Sequence, residues 1–214
     1  MQVGKLILVR HGESADNAKG QWSGIRNVSL TKKGREDAFK FGEVLQDQEF
    51  DVIYYSQLKR SRQTLDHLLK GYGHKTKAEV RKTGAIDERD YGKLAGKDKW
   101  VVQAQLGVRQ WNDIRRGWDV PVPDGETLKD TYERVVPWFK EIVVPKLLKG
   151  KNILIVAHGN SNRAIRKYLE NINNENVRFI EMSLDKIFLY DITPTGRARK
   201  VTIRRIKTDK THRY

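Results

Sequence analysis

Apolar residues along this chain fall into two patterns, short unbroken runs and stripes at helical spacing. Leu6-Ile7-Leu8-Val9 and Ile153-Leu154-Ile155-Val156 are unbroken, as expected of strands buried on both faces of a parallel sheet. Asp51-Val52-Ile53-Tyr54-Tyr55 reads as another strand, and Lys77 to Val80 as a weaker one. Between them the spacing becomes helical. Asp16 to Ser29 reads as a polar loop, after which Thr31 caps a helix reaching about Gln46, striped by Ala38, Phe41, Val44 and Leu45. Ser56 opens a helix through about Lys70, and Gly71 to His74 form a turn. Two short helices cover Asp98 to Leu106 and Val108 to Arg116, and Val120 to Gly125, with two prolines, is an extended connector.

Thr127 and Asp130 have the spacing of a capping box. The helix beyond them is predicted to bury Leu128, Tyr132, Val135, Val136, Phe139 and Ile142 and to bend at Pro137. After the second unbroken run come a helix from about Ser161 to Leu169, a short helix after Asn173, and two closing strands. These strands, Lys186 to Ile192 and Ala198 to Ile206, are predicted to pair antiparallel at a sheet edge. Strands alternating with helices predict an α/β fold, a three-layer α/β/α sandwich on a mostly parallel central sheet. Length and the absence of any linker predict a single domain over residues 1–214, with a basic tail from about residue 207.

Composition narrows the possible chemistry. The chain has 214 residues and no cysteine, which excludes disulfides, thiolate metal sites and cysteine nucleophiles. No stretch approaches the roughly 18 consecutive apolar residues of a membrane span. The N-terminus runs at once into its first strand, so no signal peptide is expected, and the expected location is cytoplasmic. The net charge is +15, which suits nucleic acid, an anionic surface or a small anionic substrate. No zinc-finger spacing, basic zipper or paired RNA-binding aromatics accompany it, so most of the charge reads as solvated surface.

The two unbroken runs end alike, in Arg10-His11-Gly12 and Ala157-His158-Gly159. Two of the five histidines thus stand at strand exits, where open α/β sheets place their ligands. If both strands are central, the imidazoles share one crevice. Arg10 beside His11, with Arg60 or Arg62 from the next helix start, makes a phosphate-binding set. Neutral imidazole is a nucleophile, and Glu88, Asp87 and Asp90 are candidate general acids or bases. Gly92 to Asp98 lacks the spacing and hydroxyl residue of a phosphate loop. His74 and His212 read as surface residues, and no set of side chains makes a convincing metal site.

Leu8 to Ser14 resembles the signature of the histidine phosphatase superfamily. Tyr55 to Arg60, Glu88 to Gly92, Arg115-Arg116-Gly117 and Ala157 to Ala164 narrow the likeness to the cofactor-dependent phosphoglycerate mutases, in their short form. The resemblance covers Lys5 to about Leu169. It implies interconversion of 3- and 2-phosphoglycerate, in glycolysis and gluconeogenesis, through a phosphohistidine primed by 2,3-bisphosphoglycerate and without metal. By the same resemblance His11 is the nucleophile, Arg10, Arg60 and His158 hold the transferred phosphoryl group, and Glu88 is the general acid/base. Asn17, Ser23, Gly24, Arg89, Tyr91, Lys99, Arg115, Arg116, Gly159 and Asn160 would bind substrate.

This chain departs from the family at Asp16, where an aromatic is usual, and at Ser23, Ile25 and Ile114. The usual Pro-Thr-Gly loop is not recognisable near Met182 to Asp185. The segment that longer members use for subunit contacts is missing, so the likeness implies neither monomer nor dimer. Two other functions remain in view, a histidine-type phosphatase of broader specificity and, more distantly, a basic nucleic-acid-binding protein. Phosphoglycerates are the expected partners, and the second group of cations separates a mutase, which must grip two anionic ends, from a phosphatase, which needs one.

Overall fold

A computed structural model describes residues 3–207, so the extreme tail from Thr208, with His212, lies outside the described residues. Six strands form one sheet: β1 (Lys5–Arg10), β2 (Val52–Ser56), β3 (Glu79–Thr83), β4 (Ile153–Ala157), β5 (Lys186–Ile192) and β6 (Ala198–Arg205). Their spatial order is β3-β2-β4-β1-β5-β6. The first four are mutually parallel, while β5 runs antiparallel to β1 and β6 antiparallel to β5. β1 and β4 are central neighbours and both are almost entirely buried. That is why neither shows a polar alternation.

Helices α1 (Ala15–Ala18), α2 (Lys32–Val44), α3 (Lys59–Tyr72), α4 (Lys99–Arg116), α5 (Leu128–Trp138), α6 (Val144–Leu148) and α7 (Gly159–Leu169) complete the architecture. On one face of the sheet, Phe41 and Leu45 from the α2 segment and Leu65, Leu68 and Tyr72 of α3 pack on Ile7, Val9, Ile53 and Val156. On the other, Val135, Phe139, Leu147, Ala164 and Ile165 pack on Leu6, Leu8, Ile153 and Ile155. The chain therefore leaves β1 toward one face and β4 toward the other. This divergence opens a crevice above their carboxyl ends.

Several boundaries differ from expectation. Asp16 lies in a short helix rather than a loop, because Ser14 and Asn17 form a capping box around its first turn. Ser56 is the last residue of β2, and α3 begins at Lys59 with Leu58 as its cap. β3 sits later than expected, and Gly71 and Tyr72 belong to α3. α7 starts at Gly159, two residues early. Ala198 to Arg205 form the outer strand, as expected.

Two expectations rested on backbone chemistry. α4 is broken at Gly107 (φ 78°, ψ 158°), giving the two helices expected there. Pro137 lies inside α5 without ending it, but the next segment, Phe139–Val143, adopts π-helical spacing. Pro137 lacks an N–H and crowds the preceding turn. The rotated segment buries Phe139 and Val143 and leaves Ile142 at 37% exposure, contrary to its expected burial.

Candidate active site

The register of β1 and β4 fixes the centre of the crevice. Arg10 pairs with Ala157, and the His11 N–H donates to the Ala157 carbonyl (2.9 Å). The next residue on each strand is therefore a histidine. The two rings lie 4.9 Å apart, centroid to centroid, tilted by 57°.

His11 is 2% exposed. Its Nδ1 lies 2.7 Å from the Gly12 carbonyl; a carbonyl only accepts, so Nδ1 carries the proton. Nε2 is left as an imine nitrogen with a lone pair, 3.2 Å from the Arg60 Nε donor. Burial, then Arg60 and then Arg10, holds the His11 pKa well below 6.5. A neutral, oriented imidazole results.

Arg60 is fully buried, and its two terminal nitrogens donate to the carbonyls of Arg26 and Gly24 (both 2.7 Å). Burial lowers its pKa to about 10, so it stays cationic at neutral pH. Arg62, the other candidate, instead engages Asp66 and the Tyr55 hydroxyl on the surface. The positive charge at the start of α3 is thus pulled inward at only one of the two arginines. Asp16 lies 3.7 Å from the Nε of Arg26, the residue whose carbonyl Arg60 holds.

His158 is buried behind His11, and its backbone N–H donates to Ser161 Oγ (3.1 Å). Ser56 Oγ accepts from the Leu58 N–H (3.2 Å) and lies 2.6 Å from His158 Nε2. The Ser56 hydroxyl therefore links the His158 ring to Asp87, whose carboxylate it also meets. Burial lowers the His158 pKa well below 6.5, helped by Arg60, His11, Arg10 and Arg134.

Of the three candidate carboxylates, only Glu88 faces the crevice. Its oxygens accept the N–H groups of Gly159 and Asn160 (3.0 Å each) and of Arg89 (2.9 Å). The first two open α7, so the carboxylate sits at a positive helix end. Asp87 instead accepts from the Gln57 N–H, and Asp90 from the Gly92 N–H.

Further cations line the cavity. Lys99, Arg115 and Arg116 line it together with Asn17, Gln21, Trp22, Ser23, Gly24, Tyr91, Gly159 and Asn160. Burial, followed by Arg10 and Arg115, lowers the Lys99 pKa to about 8. The Arg115 guanidinium lies over the Trp111 ring at 4.1 Å, and burial lowers its pKa too. Arg116 pairs with Glu181 (2.5 Å). The Tyr91 hydroxyl accepts from the Asn160 side-chain amide (3.0 Å). The cavity, about 140 Å³, suits a small molecule.

Arg89 corrects the expected substrate-binding set. It is fully buried outside the cavity lining, donates to the Ile114 carbonyl (2.6 Å), and places its guanidinium over the Tyr91 ring at 4.3 Å. It supports Tyr91 from behind. His158 also lies outside the lining, packed against the His11 ring, and its buried Nδ1 makes no hydrogen bond among the described residues.

Sequence reasoning missed Arg163 and the Glu181-Met182 pair. Arg163 is 5% exposed and donates to the carbonyls of Arg115 (3.3 Å), Arg116 (3.1 Å) and Val177 (2.8 Å), and to Asn160 Oδ1 (3.0 Å). It thereby places a cation at the C-terminus of α4 and ties α7 to the helix end bearing Arg115 and Arg116. Its position in the second histidine motif was the available signal. Glu181 and Met182 belong to the unrecognisable loop, and Met182 accepts from Arg10 through its carbonyl (2.7 Å). Among the described residues no cluster of His, Asp and Glu could hold a metal, and no helix is long and apolar enough to cross a membrane.

Two buried imidazoles, an arginine-lined crevice and a carboxylate at a helix end define a phosphoryl-transfer site on an α/β sheet. Residues 6–204 match the histidine phosphatase superfamily (branch 1), and the chain belongs to it. It is 37% identical over 193 residues to the 2,3-bisphosphoglycerate-dependent phosphoglycerate mutase of Parvibaculum lavamentivorans, covering 89% of this chain and 91% of that one. With the protein of the same name from Nitrobacter hamburgensis it shares 40% over 187 residues, covering 86% and 90%. Within the superfamily the chain is thus a member of the mutase family.

Solved structures share the fold at lower identity. A putative α-ribazole-5′-P phosphatase from Escherichia coli superposes with a TM-score of 0.77 at 21% identity, covering 97% of each chain. A mycobacterial glucosyl-3-phosphoglycerate phosphatase gives 0.78 at 22%, covering 94% of this chain and 98% of that one.

Proposed function

We propose that this protein interconverts 3-phosphoglycerate and 2-phosphoglycerate through a phosphohistidine at His11. The observation carrying this reading is the pairing of an imidazole Nε2 lone pair beside Arg60 with a second cation group, Lys99, Arg115 and Arg116, in one small cavity. A phosphatase needs only the first of these. The priming ligand, 2,3-bisphosphoglycerate, supplies the phosphoryl group when bound, and a cavity lined by Arg10, Arg60, Lys99, Arg115 and Arg116 suits its several anionic groups.

The residues divide the chemistry as follows. His11 Nε2 forms the bond to phosphorus as the bond from phosphorus to the departing oxygen breaks. Arg10, Arg60 and His158 stabilise the charge on the equatorial oxygens. Glu88 gives a proton to the departing oxygen and, in the return step, takes the proton from the hydroxyl that attacks phospho-His11. Asn17, Ser23, Gly24, Tyr91, Gly159 and Asn160 hold the glycerate, and its second anionic group meets Lys99, Arg115 and Arg116. Ser56 orients His158. As an enzyme acting on the phosphoglycerates of glycolysis, it is assigned by this reading to the cytoplasm.

Intact-mass analysis after incubation with 2,3-bisphosphoglycerate tests the reading. An acid-labile phosphoryl adduct on His11, absent from His11→Ala, is expected together with bisphosphate-stimulated isomerisation. Isomerisation that ignores the bisphosphate and survives His11→Ala refutes it. Steady phosphate release from 3-phosphoglycerate outpacing isomerisation would establish a phosphatase instead.

A further inference from the structure

One carboxylate in the cavity lining has no part in the chemistry above. Glu181 lines the cavity that Lys99, Arg115 and Arg116 also line, and its Oε1 lies 2.5 Å from the Arg116 guanidinium. We infer that Glu181 is a built-in competitor for the second anionic group of the ligand, holding Arg116 in the free protein and exchanging with the incoming anion. The inference rests on the proposed function for the identity of that ligand.

The backbone of this loop is anchored and the carboxylate is not. Arg166 donates to the Glu181 carbonyl (2.7 Å) and is itself held by Glu170 (2.8 and 3.2 Å) over the Phe188 ring. Arg10 donates to the next carbonyl, Met182 (2.7 Å). The Glu181 side chain is 58% exposed, so it can swing into water without moving the loop. Arg116 is fixed through its own carbonyl by Arg163. Glu181 is the only carboxylate paired with Arg116 among the described residues.

Charge makes the exchange selective. A glycerate carboxylate or phosphate on Arg116 replaces an anion that is already there, so the gain is the difference between two ion pairs. A singly anchored anion such as inorganic phosphate, seated by Arg10, His11 and Arg60, displaces nothing. Glu181 therefore weakens the hold on two-ended ligands specifically. When product leaves, the carboxylate returns to Arg116, so the cation is never left bare. For a site that must release a doubly anionic product on every cycle, such a leaving aid shortens residence.

The test is calorimetric titration of the full-length protein with 3-phosphoglycerate and, separately, with inorganic phosphate. Glu181→Gln is expected to tighten 3-phosphoglycerate by roughly two- to fivefold, the range for a partly exposed ion pair, and to leave phosphate unchanged. In an Arg116→Gln background the same substitution is expected to change neither. Unchanged or weaker 3-phosphoglycerate binding in Glu181→Gln overturns the inference and makes Glu181 a support for Arg116. Equal tightening of inorganic phosphate, or tightening that persists without Arg116, also overturns it, because a general field would then suffice. Wild-type protein that binds 3-phosphoglycerate without isomerising it overturns the proposed function alone. Failure of the wild type to bind 3-phosphoglycerate overturns both.

Discussion

Lys99 should make ligand affinity depend on pH between about 7 and 9. Its pKa is lowered from 10.5 to about 8 by burial and by Arg10 and Arg115. About nine-tenths of the free protein then carries the ammonium at pH 7 and about one-tenth at pH 9. If the bound anion requires the charged form, the dissociation constant for 3-phosphoglycerate rises about tenfold across that interval, equivalent to about 1.4 kcal/mol. The phosphate's second ionisation, near about pH 6, lies below the interval, and His11 is already neutral there.

Calorimetry at constant ionic strength would read this effect without dependence on turnover. Lys99→Met should bind more weakly than wild type at pH 7, show no such limb, and approach wild type at pH 9. Lys99→Arg, charged throughout, should hold its affinity at both ends. A flat wild-type profile, or the same limb in Lys99→Arg, refutes the assignment. Stability gives a second, opposite readout. A lysine whose folded pKa is lowered releases its proton on folding, so stability rises with pH between about 8 and 10.5. Below that window the fold carries the full cost of the buried ammonium. Lys99→Met should therefore raise the melting temperature, and by more at pH 7 than at pH 9.

Other substitutions separate the remaining roles. Glu88→Gln should lower turnover by roughly 10²- to 10⁴-fold while phosphate affinity, measured by calorimetry, stays near wild type; weak binding with normal turnover would contradict the proton-transfer role. Arg163→Gln removes donors to the Arg115 and Arg116 carbonyls and should raise KM for 3-phosphoglycerate more than it lowers kcat. Its loss of stability, about 2–4 kcal/mol by denaturant unfolding, reflects several buried charge-assisted bonds. Gly42→Ala would put a Cβ 2.0 Å from the Leu68 carbonyl oxygen where α2 and α3 meet. Strain should exceed the gain in helix propensity of about 1 kcal/mol, so the melting temperature should fall with activity per folded molecule unchanged.

What was legible in the chain follows from the range over which each feature is encoded. The β1 and β4 runs were plain because burial on both faces removes polar alternation, and the break in α4 because Gly107 supplies a local conformation. The pairing of His11 with His158 could be suspected from matching strand exits, but adjacency depends on a sheet order the sequence does not state. Ser56 misled because serine before a polar run suits a helix cap as well as a strand end. Arg89, Arg163 and Glu181 were hardest to place, since a long side chain's destination depends on what the fold brings within its reach. Arg89 passes behind Tyr91, whereas Arg163 crosses to the end of α4.

The step-for-step pairing of β1 with β4 limits how this site can change. Side chains on a strand alternate between faces, so inserting or deleting one residue before His11 or His158 turns the following side chains over. One imidazole would then point away from the other even if every catalytic residue type were kept. Substitutions of similar size within Leu6–Val9 or Ile153–Val156 leave that spacing alone. This chain can thus exchange residues within the two strands, while a change in their length is closed to it.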